Sequence, residues 1–306
     1  MAFPERFSNL PAYAFPRLRA LLDSHPAGGE SIAMSIGEPK HAFPAWIQDI
    51  LVAHMSEFNV YPPNDGSPEL LSNIAAWIAR RYGVCVNPLT DILSLNGTRE
   101  GLYNAAMALC PEAKAGQPPL VLLPNPFYQV YLAATFSVAA HPHLVTARAA
   151  NGFLPDYAGL SPDVLDRTAI AYICSPSNPQ GAVASPAYLK SLIELAETYD
   201  FKIFADECYS EIHRNGAPSG ALQIAKQIGA DPERVVVFHS LSKRSNLPGL
   251  RSGFAASGPQ TIARMKHLRA YSGAPLPLPL QRVAEAVWAD EQHVIENRGL
   301  YQEKFD

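Results

Sequence analysis

The sequence predicts an α/β fold in which helices cover both faces of a mostly parallel sheet. Continuous apolar runs at Thr168–Cys174, Phe201–Ala205 and Val235–His239 lack the polar alternation of a half-exposed strand. Such runs are typical of strands buried on both faces. An amphipathic helical pattern at Pro186–Tyr199 lies between the first two runs. Strands that alternate with helices in this way indicate a parallel sheet.

Local signals predict the other elements. Residues 1–40 are rich in proline and predict an extended arm with one short helix near Arg17–Ser24. Proline in the first turn favours a helix at Pro68–Tyr82, and apolar residues on one face favour another at Thr98–Cys110. Further predicted elements are a strand at Pro119–Leu123, a helix at Tyr128–Ser137 and a strand at Gly253–Ala256.

The 306 residues exceed what one compact core usually holds, so we expect a large domain and a smaller one. The large domain is predicted at 41–275. The arm (1–40) and the C-terminal segment (276–306) would form a small α+β domain. Pro275, Pro277 and Pro279 predict a rigid connector, after which a helical pattern runs from Leu280 to the end without a capping glycine or proline. We therefore expect the chain to stop inside the small domain.

Composition excludes several classes of protein. Hydrophobic residues make up 48% and charged residues 17% of the chain, which indicates a globular protein. The net charge of −4 and the scattered cations argue against nucleic-acid binding. No apolar run reaches the roughly 18 residues of a membrane span, and the start Met1–Arg6 does not resemble a secretory signal. Four widely spaced cysteines predict buried, reduced thiols of a cytoplasmic protein and no metal site: Cys85, Cys110, Cys174 and Cys208.

Lys243 is the leading candidate for a functional residue. It follows the apolar run that ends at His239, in a segment that also contains Ser240, Ser242 and, eight residues later, Arg251. Most lysines are solvated surface residues. Here the hydroxyl groups and the guanidinium can bind an anion, and a desolvated lysine near other cations is nucleophilic as the free amine. An amine beside a phosphate site suggests an imine with the aldehyde of pyridoxal 5'-phosphate.

Polar residues follow two neighbouring strands. Asp206 ends one predicted strand, Tyr209 lies three residues later, and Asn178 follows another. In parallel sheets ligands bind beyond the carboxyl ends of the strands, so we expect these side chains to meet Lys243 there. Taken alone, Asp206 is also compatible with a helix cap, Tyr209 with an ordinary buried tyrosine and Asn178 with a turn.

Two further segments carry candidate binding residues. Gly97, Thr98 and Arg99 precede or begin a predicted helix, whose first amides and dipole can bind a phosphate; a plain helix cap is the alternative. Tyr128 follows the strand Pro119–Leu123, and its ring could stack on a flat cofactor.

Together these motifs resemble the fold-type I, class I and II pyridoxal-phosphate aminotransferases. The resemblance runs from residue 37 to 253 and rests on Ser-x-Ser-Lys with arginine eight residues on, Asn-Pro-x-Gly and Asp-x-x-Tyr. It implies that Lys243 forms the imine and shuttles the proton, that Asp206 pairs with the pyridine nitrogen and that Tyr209 and Asn178 bind the phenolate oxygen. It also implies the remaining cofactor contacts: Tyr128 on the ring, and Ser240, Ser242, Arg251 and the Gly97-Thr98-Arg99 segment at the phosphate.

The resemblance extends to substrate and assembly. Gly37, in Ile-Gly-Glu-Pro, matches an arm glycine beside the substrate carboxylate, with Asn178 close to it. Tyr61 matches a tyrosine that reaches the phosphate of the partner subunit, which implies a homodimer with a shared active site. The segments around Lys243, Gly97 and Tyr128 resemble bacterial succinyldiaminopimelate aminotransferases. They imply amino exchange between glutamate and N-succinyl-2-amino-6-oxopimelate in lysine biosynthesis. The family's carboxylate-binding arginine is expected beyond residue 306.

Other functions remain open. Another aminotransferase of the class, or a C–S β-lyase of the same fold, would use the same cofactor residues. A non-enzymatic sensing domain of a transcription regulator is a further alternative, although no basic patch and no DNA-binding module before Gly37 support it.

Overall fold

The fold is described from a computed structural model, which covers residues 5–8, 10–32, 34 and 36–306. Positions 1–4, 9, 33 and 35 lie outside these ranges, so the predictions made for the start of the chain and for the arm are not compared with the structure there. Helices are α1 Glu5–Ser8, α2 Ala14–Asp23, α3 Ile47–Ala53, α4 Pro68–Tyr82, α5 Thr98–Leu109, α6 Gln129–Ser137, α7 Pro162–Arg167, α8 Pro186–Tyr199, α9 Ala221–Ile228, α10 Leu241–Arg244, α11 Pro259–Ser272, α12 Leu278–Ala289 and α13 Gln292–Phe305. Strands are β1 Ile92–Leu95, β2 Leu120–Asn125, β3 His141–Thr146, β4 Thr168–Cys174, β5 Lys202–Asp206, β6 Val235–Ser240 and β7 Gly253–Ala256.

The described strands form one seven-stranded sheet in the order β1-β7-β6-β5-β4-β2-β3. The pairs from β6 through β5, β4 and β2 to β3 are parallel. Strand β7 runs antiparallel to both of its neighbours, β1 and β6. The predicted mostly parallel α/β fold is therefore confirmed.

Helices cover both faces of the sheet. Val235 and Val237 of β6 face a core that they share with α4, α8, α9 and α12. Val236 and Phe238 of the same strand face a second core that includes residues of α5, α6 and α11. Alternate side chains of one strand thus serve opposite cores, which explains why the strand is apolar throughout.

Helix α4 shows how local sequence sets an element. The Ser67 hydroxyl accepts a hydrogen bond from Leu70 N at 3.2 Å, and Pro68 occupies the first turn. Gly83 ends the helix in the left-handed region, with φ of 68°, a conformation that costs glycine little.

The C-terminal region differs from its prediction. The long helix expected from Leu280 is two helices, α12 and α13, separated at Asp290 and Glu291. The Asp290 carboxylate, one residue before the N-cap Glu291, accepts a hydrogen bond from His293 N at 3.0 Å and so pairs one amide of the first turn of α13. Pro279 belongs to the first turn of α12 rather than to the connector. The division into arm, large domain and C-terminal segment stays a prediction.

Some smaller expectations also change. The short arm helix begins earlier, at Ala14. Each cysteine is free, but Cys85 is exposed and Cys110 half-buried, so they are not uniformly buried thiols. None of the helices in the described ranges has the length and apolar character that crossing a bilayer requires.

Candidate functional site

The predicted strand-end residues meet at one edge of the sheet. Asp206 is the last residue of β5, and Asn178 and Lys243 follow β4 and β6, its two neighbours in the sheet. They line a cavity of about 670 Å³. A cavity of this size at the carboxyl ends of parallel strands suits a small-molecule cofactor with its substrate.

Lys243 projects from α10 into this cavity. Its Nζ donates a hydrogen bond to the carbonyl of Gly37 and lies 5.7 Å from the centre of the Tyr209 ring. Burial lowers the pKa of Lys243, opposed by the nearby Cys208 and Glu38. A lowered pKa increases the fraction of free amine, the form that attacks an aldehyde.

Asp206 is buried at the floor of the cavity, with 6% of its surface exposed. Its Oδ2 accepts a hydrogen bond from Tyr131 Oη at 2.8 Å, and its Oδ1 lies 3.3 Å from Cys208 N. Burial raises the pKa of Asp206, although those hydrogen bonds oppose the change. Within the described part of the chain, Asp206 makes no ion pair. A buried carboxylate of this kind favours a cation at its open side.

Tyr131 is a residue that sequence reasoning missed. It lies on α6, 75 positions from Asp206, and its ring stacks on Tyr172 with 4.3 Å between ring centroids. No local motif predicts this pairing. The only available signal was its place one helical turn after Tyr128.

Tyr209 and Asn178 also line the cavity. Burial raises the pKa of Tyr209, with a further contribution from Asp206, so its hydroxyl stays protonated and can donate a hydrogen bond. Asn178 lies in a tight turn in which Gly181 N donates to Ser177 O at 2.8 Å. The turn interpretation of Asn178 therefore holds, and the turn brings the residue to the cavity.

An anion-binding cradle lies between α5 and the start of β7. Gly97 has φ of 81° and precedes the first turn of α5, where no described side chain caps the free amides. A Cβ on Gly97 would lie 2.2 Å from Arg251 Nη2, so only glycine allows the guanidinium this close to the helix N-terminus. Arg251 is held by Pro248 O at 2.9 Å and Asn96 O at 3.3 Å.

Two serines at the end of β6 face the same region. Ser240 Oγ lies 2.9 Å from Ser242 Oγ and accepts a hydrogen bond from Ser242 N at 3.1 Å. Both residues line the cavity with Thr98 and Arg251. Hydroxyl groups, helix amides and a guanidinium together form a site for a phosphate dianion.

The mouth of the cavity is aromatic and cationic. Arg99 Nε donates to Tyr128 Oη at 2.9 Å, a bond that raises the pKa of Arg99. Tyr13 and Phe15 from the arm also line the mouth, with 5.5 Å between their ring centres. Sequence reasoning did not identify these two arm residues as part of the site.

Tyr61 and Gly97 do not themselves line the cavity. Tyr61 lies outside it with 99% of its surface exposed, so its predicted contact with a partner subunit stays a prediction. No cluster of histidine, cysteine and acidic side chains in the described ranges could hold a metal ion.

Residues 30–306 match the family model of aminotransferase class I and II. The chain belongs to this family. The cofactor of the family, pyridoxal 5'-phosphate, is therefore the cofactor of this chain, and the enzyme class is that of the transaminases.

Similar proteins of known name agree with this assignment. An LL-diaminopimelate aminotransferase of Desulforudis audaxviator is 33% identical over 88% of this chain and 68% of its own length. One from Moorella thermoacetica is 32% identical over 98% of this chain and 76% of its own. The crystal structure of an aminotransferase from Neisseria meningitidis has a TM-score of 0.92 and 40% identity, and covers 98% of this chain and 77% of that one.

The residues present fit the cofactor. The cradle that excludes a Cβ at Gly97 would hold the phosphate, and the Asp206 carboxylate would suit a protonated ring nitrogen. The Lys243 amine lies in the same cavity. When bound, pyridoxal phosphate supplies an electron sink that stabilises negative charge on the substrate α-carbon. The assignment of each residue to its contact remains our proposal.

Proposed function

We propose that this cavity exchanges an amino group between glutamate and an acceptor with the carbon skeleton of 2-amino-6-oxopimelate. The observation that carries the proposal is the Lys243 amine in one cavity with the buried Asp206 carboxylate and with the Arg251 guanidinium, which Gly97 admits to the N-terminus of α5. The relatives named as LL-diaminopimelate aminotransferases support the choice of carbon skeleton.

Each residue then has a separate task. Lys243 is the nucleophile and carries a proton to and from the substrate α-carbon, which needs a free amine and thus benefits from its lowered pKa. Asp206 keeps the ring nitrogen protonated, and Tyr131 orients that carboxylate. Tyr209 and Asn178 donate hydrogen bonds to the phenolate oxygen. A positioned proton carrier of this kind contributes about 10²–10⁴-fold to the rate.

The arm contributes at the substrate end. The Gly37 carbonyl accepts the hydrogen bond of the Lys243 amine, which places the arm directly at the reacting centre. Backbone at Gly37 is therefore close to where a substrate carboxylate would lie. Tyr13 and Phe15 of the arm line the same cavity and so add two further arm residues beside the substrate.

The acceptor has two candidate forms. The motif around Lys243 favours a succinylated acceptor, whereas the names of the relatives favour the free diaminopimelate skeleton. We take the succinylated form as the primary candidate, because the resemblance extends over the segments around Gly97, Tyr128 and Lys243.

A homodimer would complete the site. Tyr61 is fully exposed, and exposed apolar residues surround it in sequence, among them Met55, Phe58 and Val60. Exposed apolar residues in one stretch of chain are compatible with a protein partner, and a second copy would bring Tyr61 to the neighbouring cradle. Sedimentation at several protein concentrations tests this; a monomer at every concentration would exclude the shared site.

Trapping with borohydride tests the role of Lys243. The protein is loaded with pyridoxal phosphate, reduced and digested, and mass spectrometry locates the modified residue. We expect modification at Lys243, with loss of visible absorbance and turnover in Lys243→Ala. Lys40→Ala is the matched control, since Lys40 is an exposed arm lysine that pairs with Glu38 and does not line the cavity. Modification elsewhere, or turnover by Lys243→Ala, would refute the assignment.

A substrate screen separates the alternatives. Glutamate-dependent amination is measured with succinylated and free acceptors, and kcat/KM is compared. Preference for the free acceptor would reject the succinylated one. Release of pyruvate and a thiol from cystathionine, without exchange with glutamate, would instead indicate the β-lyase.

A further inference from the structure

The turn that follows Lys243 is attached to the C-terminal helices by consecutive side chains. Arg244, Ser245 and Asn246 are all buried, whereas Lys243 points the other way into the cavity. Buried polar side chains almost always have hydrogen-bond partners. Because these three do not line the cavity, their partners lie elsewhere in the fold.

Arg244 binds the end of α12. Its Nη1 donates to Val287 O at 2.8 Å, and its Nη2 donates to Asp290 O at 3.1 Å and to Glu291 Oε1 at 2.8 Å. The last carbonyls of a helix lack partners within the helix and carry partial negative charge. Arg244 therefore caps α12 with a charge that comes from the Lys243 turn.

The guanidinium has little freedom to move. Only 2% of Arg244 is exposed, and its Cζ lies 5.0 Å from the centre of the Trp288 ring and 5.8 Å from that of Trp77. Burial lowers the pKa of Arg244, and Glu291 opposes the change; the group remains charged at neutral pH.

The next two residues bind α13. Ser245 Oγ lies 2.8 Å from His293 Nε2. Asn246, with φ of 53°, donates from Nδ2 to Asn297 Oδ1 at 2.8 Å. His293 and Asn297 lie one turn apart on the same face of α13, so the turn is fixed to both helices at their junction.

We propose that Arg244, Ser245 and Asn246 are positioning residues that clamp the Lys243 turn to the junction of α12 and α13. The position of these helices then sets the position of the Lys243 amine relative to Asp206. The inference rests on the proposed function, because Lys243 matters only as the nucleophile. A displacement of the order of 1 Å at a reacting group can cost roughly 100-fold in rate.

Hydrogen exchange in the cofactor-free protein tests the clamp without using activity. Ser245 N and Leu247 N both donate to Leu241 O, at 3.1 and 3.3 Å. In Arg244→Met and Ser245→Ala, we expect these amides to exchange about 10-fold faster than in the wild type. Arg80→Met is the matched control: Arg80 donates to Trp288 O and Glu291 at the same helix end, but it comes from α4. It should leave these amides unchanged.

Kinetics of the loaded enzyme distinguish positioning from a merely structural role. We expect kcat of Arg244→Met to fall about 10- to 100-fold with KM changed less than about threefold, and the pH midpoint of the visible absorbance to shift. If Arg244→Met does not fold, Ser245→Ala decides the outcome, with a smaller loss expected. Two results would overturn the inference. One is a folded variant in which the Ser245 and Leu247 amides exchange as slowly as in the wild type. The other is a variant in which these amides exchange faster but kcat and the pH midpoint of the absorbance are those of the wild type. Failure of the proposed function would show instead as wild-type protein that is not trapped at Lys243.

Discussion

Replacement of Asp206 by asparagine should separate catalysis from stability. The asparagine carbonyl can still accept the hydrogen bond that Tyr131 Oη donates at 2.8 Å, while the contacts from the Cys208 side chain and from Cys208 N at 3.3 Å are weakened. Removal of a buried negative charge compensates for that loss. We therefore expect the free energy of unfolding of the cofactor-free protein to change by less than about 1 kcal/mol.

The effect on turnover should be much larger. A neutral amide cannot hold the proton on the ring nitrogen, so the electron sink weakens. Removing one partner of a buried charge pair costs about 3–5 kcal/mol, and each 1.36 kcal/mol is about a factor of ten in rate. Asp206→Asn should thus lower kcat by roughly 100- to 5,000-fold.

The assay compares kcat for steady-state amino transfer from glutamate with urea unfolding of the cofactor-free protein. Asp91→Asn is the control, because Asp91 is a hydrogen-bonded carboxylate in a turn before β1 and does not line the cavity. A kcat for Asp206→Asn within about threefold of wild type would refute the role of Asp206. The same would follow if Asp91→Asn caused an equal decrease.

Two further changes test the cradle and the acid sensitivity of the fold. Gly97→Ala should weaken pyridoxal-phosphate binding about 10-fold, measured by absorbance titration, because a Cβ would displace Arg251; Gly83→Ala shares the positive φ but meets no atom within 4 Å and should leave binding unchanged. Burial opposes ionisation of Glu211, but Arg81 at 2.8 Å and Arg298 at 2.5 Å together outweigh it and lower the pKa of Glu211. The stabilisation from ionised Glu211 is complete at pH values above the pKa of glutamate in the unfolded chain, about 4.3. It is lost as the pH falls through the lower pKa of Glu211 in the folded protein. Glu211→Gln should reduce the free energy of unfolding by about 3 kcal/mol at neutral pH, measured in urea, and a deficit that persists at low pH would contradict this cause.

The sequence predicts best those elements whose signals are local. Strand β4 is apolar throughout, and its predicted bounds of Thr168–Cys174 are those observed. Strand β3 (His141–Thr146) was not predicted, because it lies at the sheet edge and contains an exposed histidine, a half-buried histidine and a proline. Helix α11 was also missed, since its buried residues form only a weak stripe.

The sequence predicts the site residues that lie at strand ends. It does not predict contacts between segments that are far apart in the chain. Asp206 and Lys243 belong to compact motifs, so the sequence placed both in the cavity. Tyr131 and the contacts of Arg244 join segments about 40 to 75 positions apart. Pairings of this kind arise from the packing of the whole fold, and no periodicity in a single chain reveals them.

The reversed direction of β7 explains why Arg251, which precedes this strand, lies at the same sheet edge as Lys243, which follows β6. Parallel strands deliver their trailing residues to the cavity edge, as β5 and β6 do. Strand β7 runs the opposite way beside β6, so it delivers its leading residue, Arg251. The chain therefore visits this edge twice within a few residues, first at Lys243 and again at Arg251. Any change in the length of the segment between them would therefore move the Lys243 amine and the Arg251 guanidinium relative to each other within the cavity.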